Sequence, residues 1–397
     1  MQKERDAQYL VLNAKTSLLI DFIFITQHNI NPNMTHKERV KKALNHEVTD
    51  RPPFQATFTP EFADRLRKEF NLPEQVTEPH HRTWYGYDLE VLTGQDALQA
   101  GVGWVTNYYL KSEPYTDEWG VGWQIDPYET PFGTGHYTNL AKNPLRDDDA
   151  AALAYKAPDP TRPELYTHVE RLIKEYGDEY YIIGRVHGTF FETAWALRGL
   201  DTLMMDFYIN PDIANHLLDE VGNYHTEVVR QLVRRGVDMI WLGDDMGSQN
   251  TLMIDPELWR QYFKPRMAAI IKVAKDLNPD VKIAYHTDGC NYDIIPDLIE
   301  IGLDVLNPIQ TECMDPEILQ EKYGDRLCFF GGVAVQSTLP TGTTEELTNE
   351  YNWLKNSLGK GGGWLCAPTH HVQLDTKMEN FFTLLKLIGI EDKRPAK

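Results

Sequence analysis

One unit recurs along this 397-residue chain and constrains its fold more than any other feature: a short unbroken apolar run ends in a cluster of polar residues, and a segment of helical apolar spacing follows. Ile182-Ile183-Gly184-Arg185-Val186 runs into His187-Gly188, with Glu192 and Trp195 just beyond, and Asp238-Met239-Ile240-Trp241-Leu242-Gly243 runs into Asp244-Asp245-Met246-Gly247-Ser248-Gln249. Lys282-Ile283-Ala284-Tyr285 ends in His286-Thr287-Asp288-Gly289-Cys290, Asp304-Val305-Leu306 in Asn307-Pro308-Ile309-Gln310, and Gly363-Trp364-Leu365-Cys366 in Ala367-Pro368-Thr369-His370-His371. Helices are predicted between such runs: Pro211 to Arg235 with Asn210 as N-cap and Pro211 at the first helical position, Pro256 to Leu277, and Thr376 to Ile388.

Runs that are apolar throughout, rather than at alternate positions, belong to strands covered on both faces, and strands alternating with helices belong to a parallel sheet. Eight strands are predicted: Pro53 to Phe58, Asp88 to Val91, and runs starting near residues 181, 238, 281, 303, 327 and 363. Eight such units predict an α/β fold of the (β/α)8 TIM-barrel type, in which the residues after each strand line one mouth and build the active site. An open doubly wound sheet is the alternative, but no G-x-G-x-x-G follows the first strand, and the glycine-rich Gly359 to Gly363 precedes a strand instead of opening a helix. Between the second and third strands, the insertion that contains Asp117 to Ile125 reads as a β-hairpin over the mouth, with Trp119 and Trp123 as packing residues first and a lid second.

Residues 1–33 read as a loosely ordered extension, 34–390 as the barrel domain and 391–397 as a tail. Leu18 to Ile25 is apolar but too short to span a bilayer and is interrupted by Asp21, and no small-residue cleavage site follows it. Thr35 with Glu38 three residues on marks a helix start of capping-box type. A net charge of −20 argues against nucleic acid and anionic membrane surfaces as partners. The four cysteines, 290, 313, 328 and 366, show no C-x-x-C spacing, and Cys328 and Cys366 lie inside apolar strands; a reducing cytoplasm is the expected compartment.

His286 and Asp288 are two residues apart at a strand end, so their side chains point to one face about 7 Å apart and can converge on one small ligand. Asp244, Asp245 and Glu192 are candidates for a further oxygen ligand or for general acid–base work, and adjacent buried aspartates raise each other's pKa. A blander reading has Asp244 capping a loop, with Asp245 alone facing the mouth. His187 completes the catalytic candidates, with Glu192 and Asp245; Trp195, Asp244, Gln249, Asn307 and Gln310 are the candidates for shaping a substrate pocket.

Several ordered motifs, taken together, resemble the uroporphyrinogen decarboxylase superfamily from about residue 34 to 390. They are Met34-Thr35-x-Lys37-Glu38-Arg39-Val40 followed by Asp50-Arg51-Pro52-Pro53, Phe191-Glu192-x-x-Trp195-x-x-Arg198-Gly199, Gly243-Asp244-Asp245-x-Gly247-x-Gln249, His286-x-Asp288-Gly289, Asn307-Pro308-x-Gln310 and Ala367-Pro368-x-His370. The resemblance implies the same barrel, small-molecule chemistry and a homodimer through the mouth. True uroporphyrinogen decarboxylases carry an R-Q-A-G-R segment after the first strand for substrate carboxylates, whereas here the stretch reads Phe54-Gln55-Ala56-Thr57-Phe58-Thr59-Pro60, with no arginine. The chain is therefore more similar to the methyltransferase branch, which moves methyl groups from O- or N-methyl substrates to a corrinoid partner protein. That branch binds zinc through H-x-C and a later cysteine; the corresponding positions here are His286-x-Asp288 and His370, so the resemblance implies a metal set of two imidazoles and a carboxylate that suits zinc and equally iron or manganese, with coordination positions open to a substrate, and a metal-free hydrogen-bonding site is the competing reading. Under the decarboxylase alternative no metal is needed. A non-catalytic binding barrel is the third reading.

Overall fold

The computed structural model describes residues 34–73, 86–102 and 114–395. Two sheets are present: β1 (Ala97–Val102); β2 (Tyr115–Thr116), β3 (Gly122–Thr130) and β4 (Gly133–Lys142); then β5 (Tyr181–His187), β6 (Met239–Gly243), β7 (Lys282–His286), β8 (Val305–Asn307), β9 (Cys328–Val333) and β10 (Trp364–Pro368). β1 and β5 to β10 form one seven-stranded sheet in chain order, every pair parallel, and β2 to β4 form the antiparallel insertion. The hairpin thus lies where the sequence predicts it, although its long strands begin at Gly122.

Two predicted strands differ. Within Pro53 to Phe58 pairing is reduced to the isolated bridges Phe54 to Cys366 and Phe58 to Val372, because Pro52 and Pro53 have no N–H to give a ladder and Pro60 already opens a helix. The segment still bonds on both sides: the Asp96 N–H donates to Phe54 O at 2.7 Å and the Gln55 N–H donates to Cys366 O at 3.1 Å. It therefore sits between the first and last strands of the large sheet. Asp88 to Leu92 is a helix, not a strand, and the strand follows at Ala97–Val102 after Gly94 turns the chain at φ +67°. Ala-Leu-Gln-Ala-Gly-Val has little intrinsic strand preference; its register against Tyr181–Val186 makes it one.

The helix Pro211–Arg235 is unbroken and ends at Gly236 in the left-handed conformation. Asn210 takes the N-cap position as predicted, but its side chain makes no capping bond and instead donates its Nδ2 to Asp206 at 2.9 Å. Pro256 to Leu277 is two helices, Pro256–Tyr262 and Lys264–Leu277, because Pro265 cannot continue the first. The capping box of Thr35 and Glu38 forms in both directions. Residues 1–33 lie outside the described residues. Among the described residues no helix is long and apolar enough to cross a membrane.

Alternation along the strands sorts the side chains into two cores. Ile182, Ile240, Ile283, Leu306, Phe329 and Cys366 pack against the helices, while Ile183, Met239, Ala284, Val305, Cys328 and Leu365 pack with one another on the inner face, beside Val40 and Leu44 from the first helix. Continuing two residues up each inner row changes the chemistry: Ile183 is followed by Arg185 and His187, Met239 by Trp241, Ala284 by His286, Val305 by Asn307 and Cys328 by Phe330. The lower interior is therefore an apolar plug, and the carboxyl-terminal ends of the strands carry the functional groups. Cys328 and Cys366 are buried as expected, and burial pushes the Cys328 thiol up to about 12.

The insertion is organised by Asp117, whose carboxylate accepts the N–H groups of Trp119 and Val121 and the indole N–H of Trp123, at 2.9, 2.9 and 2.8 Å. Both tryptophans are buried, so they pack and do not form a lid. The hairpin leans on the helix Pro60–Glu69, with Arg65 over the Phe132 ring at 4.1 Å and His136 Nδ1 at 3.3 Å from Glu61. This brings Tyr137 to the mouth of the large sheet.

Candidate active site

A cavity of about 860 Å³, counted to its open mouth, lies above the apolar plug. Its wall comes from nearly every strand end: Gln99 from β1, Arg185 and His187 from β5, Trp241 and Asp245 from β6, His286 from β7, Asn307 from β8, Phe330 from β9 and Pro368 to His371 from β10. Glu192 reaches in from the helix Phe191–Arg198, Gln55 and Thr57 from the segment between the sheet edges, and Tyr137 from the hairpin.

The centre is His286. Asn307 Nδ2 donates to the Phe330 carbonyl at 2.9 Å, which fixes the orientation of its amide, and its Oδ1 accepts the Trp241 indole N–H at 3.0 Å. The same Oδ1 is 2.7 Å from His286 Nδ1, and two acceptors cannot share one bond, so Nδ1 carries the hydrogen. The other ring nitrogen, Nε2, faces Asp245 Oδ1 and Asp288 Oδ1, each at 3.6 Å. Three side chains from two strand ends thus point one nitrogen and two oxygens at a common centre, all within 4.8 Å of one another.

Two loops hold this geometry by close backbone approach. The Asp288 N–H donates to Asp245 Oδ1 at 3.0 Å, the Gly247 N–H to Asp288 O at 3.1 Å and the Cys290 N–H to Ser248 O at 2.8 Å. A Cβ on Gly247 would run into Asp288 O, and one on Gly289, at φ +83°, into Ser248 O. Gly243 serves the same end, since a Cβ there would meet the Trp241 ring at 2.9 Å. Gln310 does not line the cavity; its Oε1 accepts the Gly289 N–H and so braces the loop that carries Asp288.

The donor set fits a divalent ion. Two ligands held tetrahedrally at about 2.1 Å from zinc are about 3.4 Å apart, close to the 3.6 Å measured here. Asp288 Oδ1 is buried and accepts no hydrogen bond from the described residues, as expected for an atom whose partner is a cation. The Asn307 contact to the far nitrogen of His286 is the second contact that metal-bound imidazoles normally make. With no thiolate in the set, zinc, iron and manganese all remain suitable. The set differs from the predicted one: Asp245 stands where His370 was expected. The His370 ring centre is 6.3 Å from that of His286, in the cavity wall but outside the cluster, and burial pushes its pKa down to about 4.

Electrostatics divide the remaining groups. Burial, then the neighbouring carboxylates Asp245, Asp244 and Asp288, push Glu192 well above the usual carboxylate range. Burial, then Arg185, push His187 far below the usual imidazole range, and its Nδ1 is 3.7 Å from Glu192 Oε2. Burial raises Asp288 to about 6, against the pull of His286. Asp244 is not in the cavity wall. It is buried behind it, accepting the N–H groups of Phe190 and Glu192 at 2.8 and 2.9 Å, so it aims the helix that carries Glu192 rather than binding substrate.

Two further expectations change for the same reason, the direction of the side chain. Trp195 packs against the core outside the cavity, and Gln249 is exposed on the rim, donating to Glu312 O at 3.3 Å. The cavity residues not predicted are Gln55, Thr57, Gln99, Tyr137, Arg185, Trp241, Phe330, Pro368, Thr369 and His371. Period-two counting back from His187 points to Arg185, and from Gly243 to Trp241; nothing local singles out Tyr137, which arrives from the insertion.

Comparison with known proteins agrees with this architecture. Residues 129–389 match the family model for uroporphyrinogen decarboxylase (URO-D). A uroporphyrinogen decarboxylase from Salinibacter ruber (strain DSM 13855 / M31) is 27% identical over 126 residues, which is 32% of this chain and 34% of that protein, so the match spans about a third of the relative's length. A methyltransferase from Methanosarcina mazei superposes with a TM-score of 0.64 at 18% identity, covering 90% of this chain and 99% of that one, and shares the fold. A B12-independent methionine synthase from Shewanella sp. W3-18-1 gives a TM-score of 0.47 at 11% identity, over 85% and 95% of the two chains. With the family model matched over most of its length, this chain belongs to the uroporphyrinogen decarboxylase family.

Proposed function

We propose that this enzyme is a metal-assisted methyltransferase, moving a methyl group from a small O- or N-methylated substrate to a corrinoid carried by a partner protein. In this reading the seven strands and the Phe54 segment make a closed eight-unit barrel. The observation that carries the proposal is His286 Nε2 aimed between Asp245 and Asp288. A divalent ion held by these three would supply Lewis acidity to the departing oxygen or nitrogen. The chain's own residues do the rest: as the carbon–heteroatom bond breaks and the methyl group leaves to the corrinoid, Glu192, whose burial favours the protonated form, gives its proton to the heteroatom. His187, neutral and beside Glu192, orients that acid, and Trp241 and Phe330 exclude water from the face of the substrate.

The alternative is decarboxylation of uroporphyrinogen III. Eight carboxylates on that substrate call for several cations, and among the described lining residues Arg185 is the single arginine. The test uses the purified full chain, analysed for bound metal and then incubated separately with uroporphyrinogen III and with a methylated phenol plus a corrinoid protein. About one equivalent of divalent metal and a methyl transfer lost on chelation are expected. Coproporphyrinogen formed at an ordinary enzymatic rate would overturn the proposal.

A further inference from the structure

We infer that Cys290 and Cys313 are a redox pair: a peroxide closes them into a disulfide, and the closure evicts the Gln310 amide that braces the loop of Asp288. The inference goes beyond the proposed methyl transfer and concerns two groups which that reaction does not use.

The two thiols sit on adjacent strand-end loops. Cys290 follows β7 and Cys313 follows β8, and both are half-buried, whereas Cys328 and Cys366 are sealed inside strands. The loops are fastened to each other on either side of the pair. On one side Gln310 Oε1 accepts the Gly289 N–H, and on the other the Asp315 N–H donates to the Tyr292 hydroxyl at 2.8 Å. Residues 290 and 313 lie between these two fastenings, one on each loop. The Cys313 sulfur is directed at the seam, 3.9 Å from the same Gln310 Oε1 that holds Gly289. Burial, then Glu312 and then Cys290 raise the Cys313 thiol, so the two sulfurs lie close enough to feel each other's charge.

Closure and the brace exclude each other. A disulfide brings its sulfurs to about 2.05 Å and its Cβ atoms to about 3.8 Å. In the reduced chain the Gln310 amide fills the gap between the Cys313 sulfur and the backbone at Gly289, so it has to leave before the sulfurs meet. The buried Gly289 N–H then loses its acceptor, and Asp288, one residue back, loses the support that keeps its Oδ1 3.6 Å from His286 Nε2. The chemistry balances with hydrogen peroxide as the oxidant. One thiol attacks the O–O bond and becomes a sulfenic acid as one water leaves; the second thiol attacks that sulfur and expels the other oxygen as water, so two sulfurs are oxidised to one disulfide and the peroxide is reduced to two waters. In a reducing compartment such a bond is transient, which is the behaviour of a sensor rather than of a structural staple.

The test treats the full chain with a stoichiometric amount of hydrogen peroxide. A loss of two hydrogens in mass is expected, with a digest fragment that joins residues 290 and 313 and disappears on reduction. Hydrogen exchange at the Gly289 amide should speed up by about tenfold in the oxidised chain, and affinity for a divalent metal should fall by about tenfold. Cys290→Ser and Cys313→Ser should each abolish the cross-link and the exchange response, with reduced-state thermal unfolding at the wild-type temperature showing that the variants are folded. Two thiols left intact, one carried to a sulfinic acid with no cross-link, or a cross-link that leaves Gly289 exchange unchanged or slower would overturn the inference. If the reduced chain binds no metal, the proposed reaction fails, while the cross-link and the exchange rate still decide the redox pair.

Discussion

Replacing Asn307 by leucine separates the role of His286's partner from the role of His286 itself. Asn307 makes three buried hydrogen bonds, from Trp241 at 3.0 Å, with His286 at 2.7 Å and to Phe330 O at 2.9 Å. Leucine keeps the volume but leaves the indole N–H and the carbonyl stranded, at about 1–3 kcal/mol for each unsatisfied group, so stability should fall by about 3 kcal/mol. His286 has a way out. With no acceptor at Nδ1 it can carry its hydrogen on Nε2, which faces the Asp245 and Asp288 carboxylates at 3.6 Å. A metal must then displace a proton, and affinity should fall by about 10–100-fold, the usual effect of losing such a contact. Asn307→Asp keeps an acceptor for both N–H groups and should retain metal binding far better than leucine. Metal titration, with nitrogen-15 NMR of the metal-free protein to read the His286 tautomer, checks this. Wild-type metal affinity in the leucine variant, or an Nε2-protonated His286 in the unmodified chain, would refute the reasoning.

Two other outcomes follow from the same geometry. His286→Ala should abolish metal binding, whereas His370→Ala, altering a group outside the cluster, should leave metal content near the wild-type level while slowing turnover; metal analysis and initial rates distinguish them, and equal metal loss in both would return His370 to the donor set. Glu350 is raised to about 7 by burial, so the native state binds its proton more tightly than the unfolded chain does; the contribution is complete below about pH 4.5 and is lost as pH rises through about 7. Glu350→Gln should therefore flatten the fall in urea stability between those pH values and be more stable than the wild type at pH 8 by about 2–3 kcal/mol, and parallel wild-type and variant curves would contradict the assignment.

Much of this was legible because the signals are local. A strand end bearing His286 and Asp288, a Pro211 that starts a helix, and a Thr35–Glu38 box each follow from neighbours in the sequence, and all appear in the structure. What was not legible depends on direction and on distant partners. Asp244 and Asp245 are adjacent, yet one caps the helix of Glu192 and the other faces the cavity; no periodicity separates two residues in a loop. His370 was read as a ligand because its motif position suggested it, but the ion-sized gap is closed by Asp245 from β6, whose approach is set by the contact of Gly247 with Asp288. β1 was misplaced because its composition is weak and its identity comes from β5.

The segment around Phe54 has one more consequence. It fills the space between β1 and β10 with single bridges instead of a ladder, and the seam is reinforced by Asp96, which accepts from the Phe54 N–H at 2.9 Å and from Arg39 and Arg51 at 2.6 Å each. This joint unites the two extremes of the domain in sequence, so it can be made only after β10 has left the ribosome. Until then the sheet has two open edges, one of them apolar on both faces, and the nascent chain is exposed to pairing with its neighbours. The other side of the joint has no such delay: Asp96, Arg39, Arg51 and Phe54 all precede β5, so the buried carboxylate meets its arginines before β10 is made.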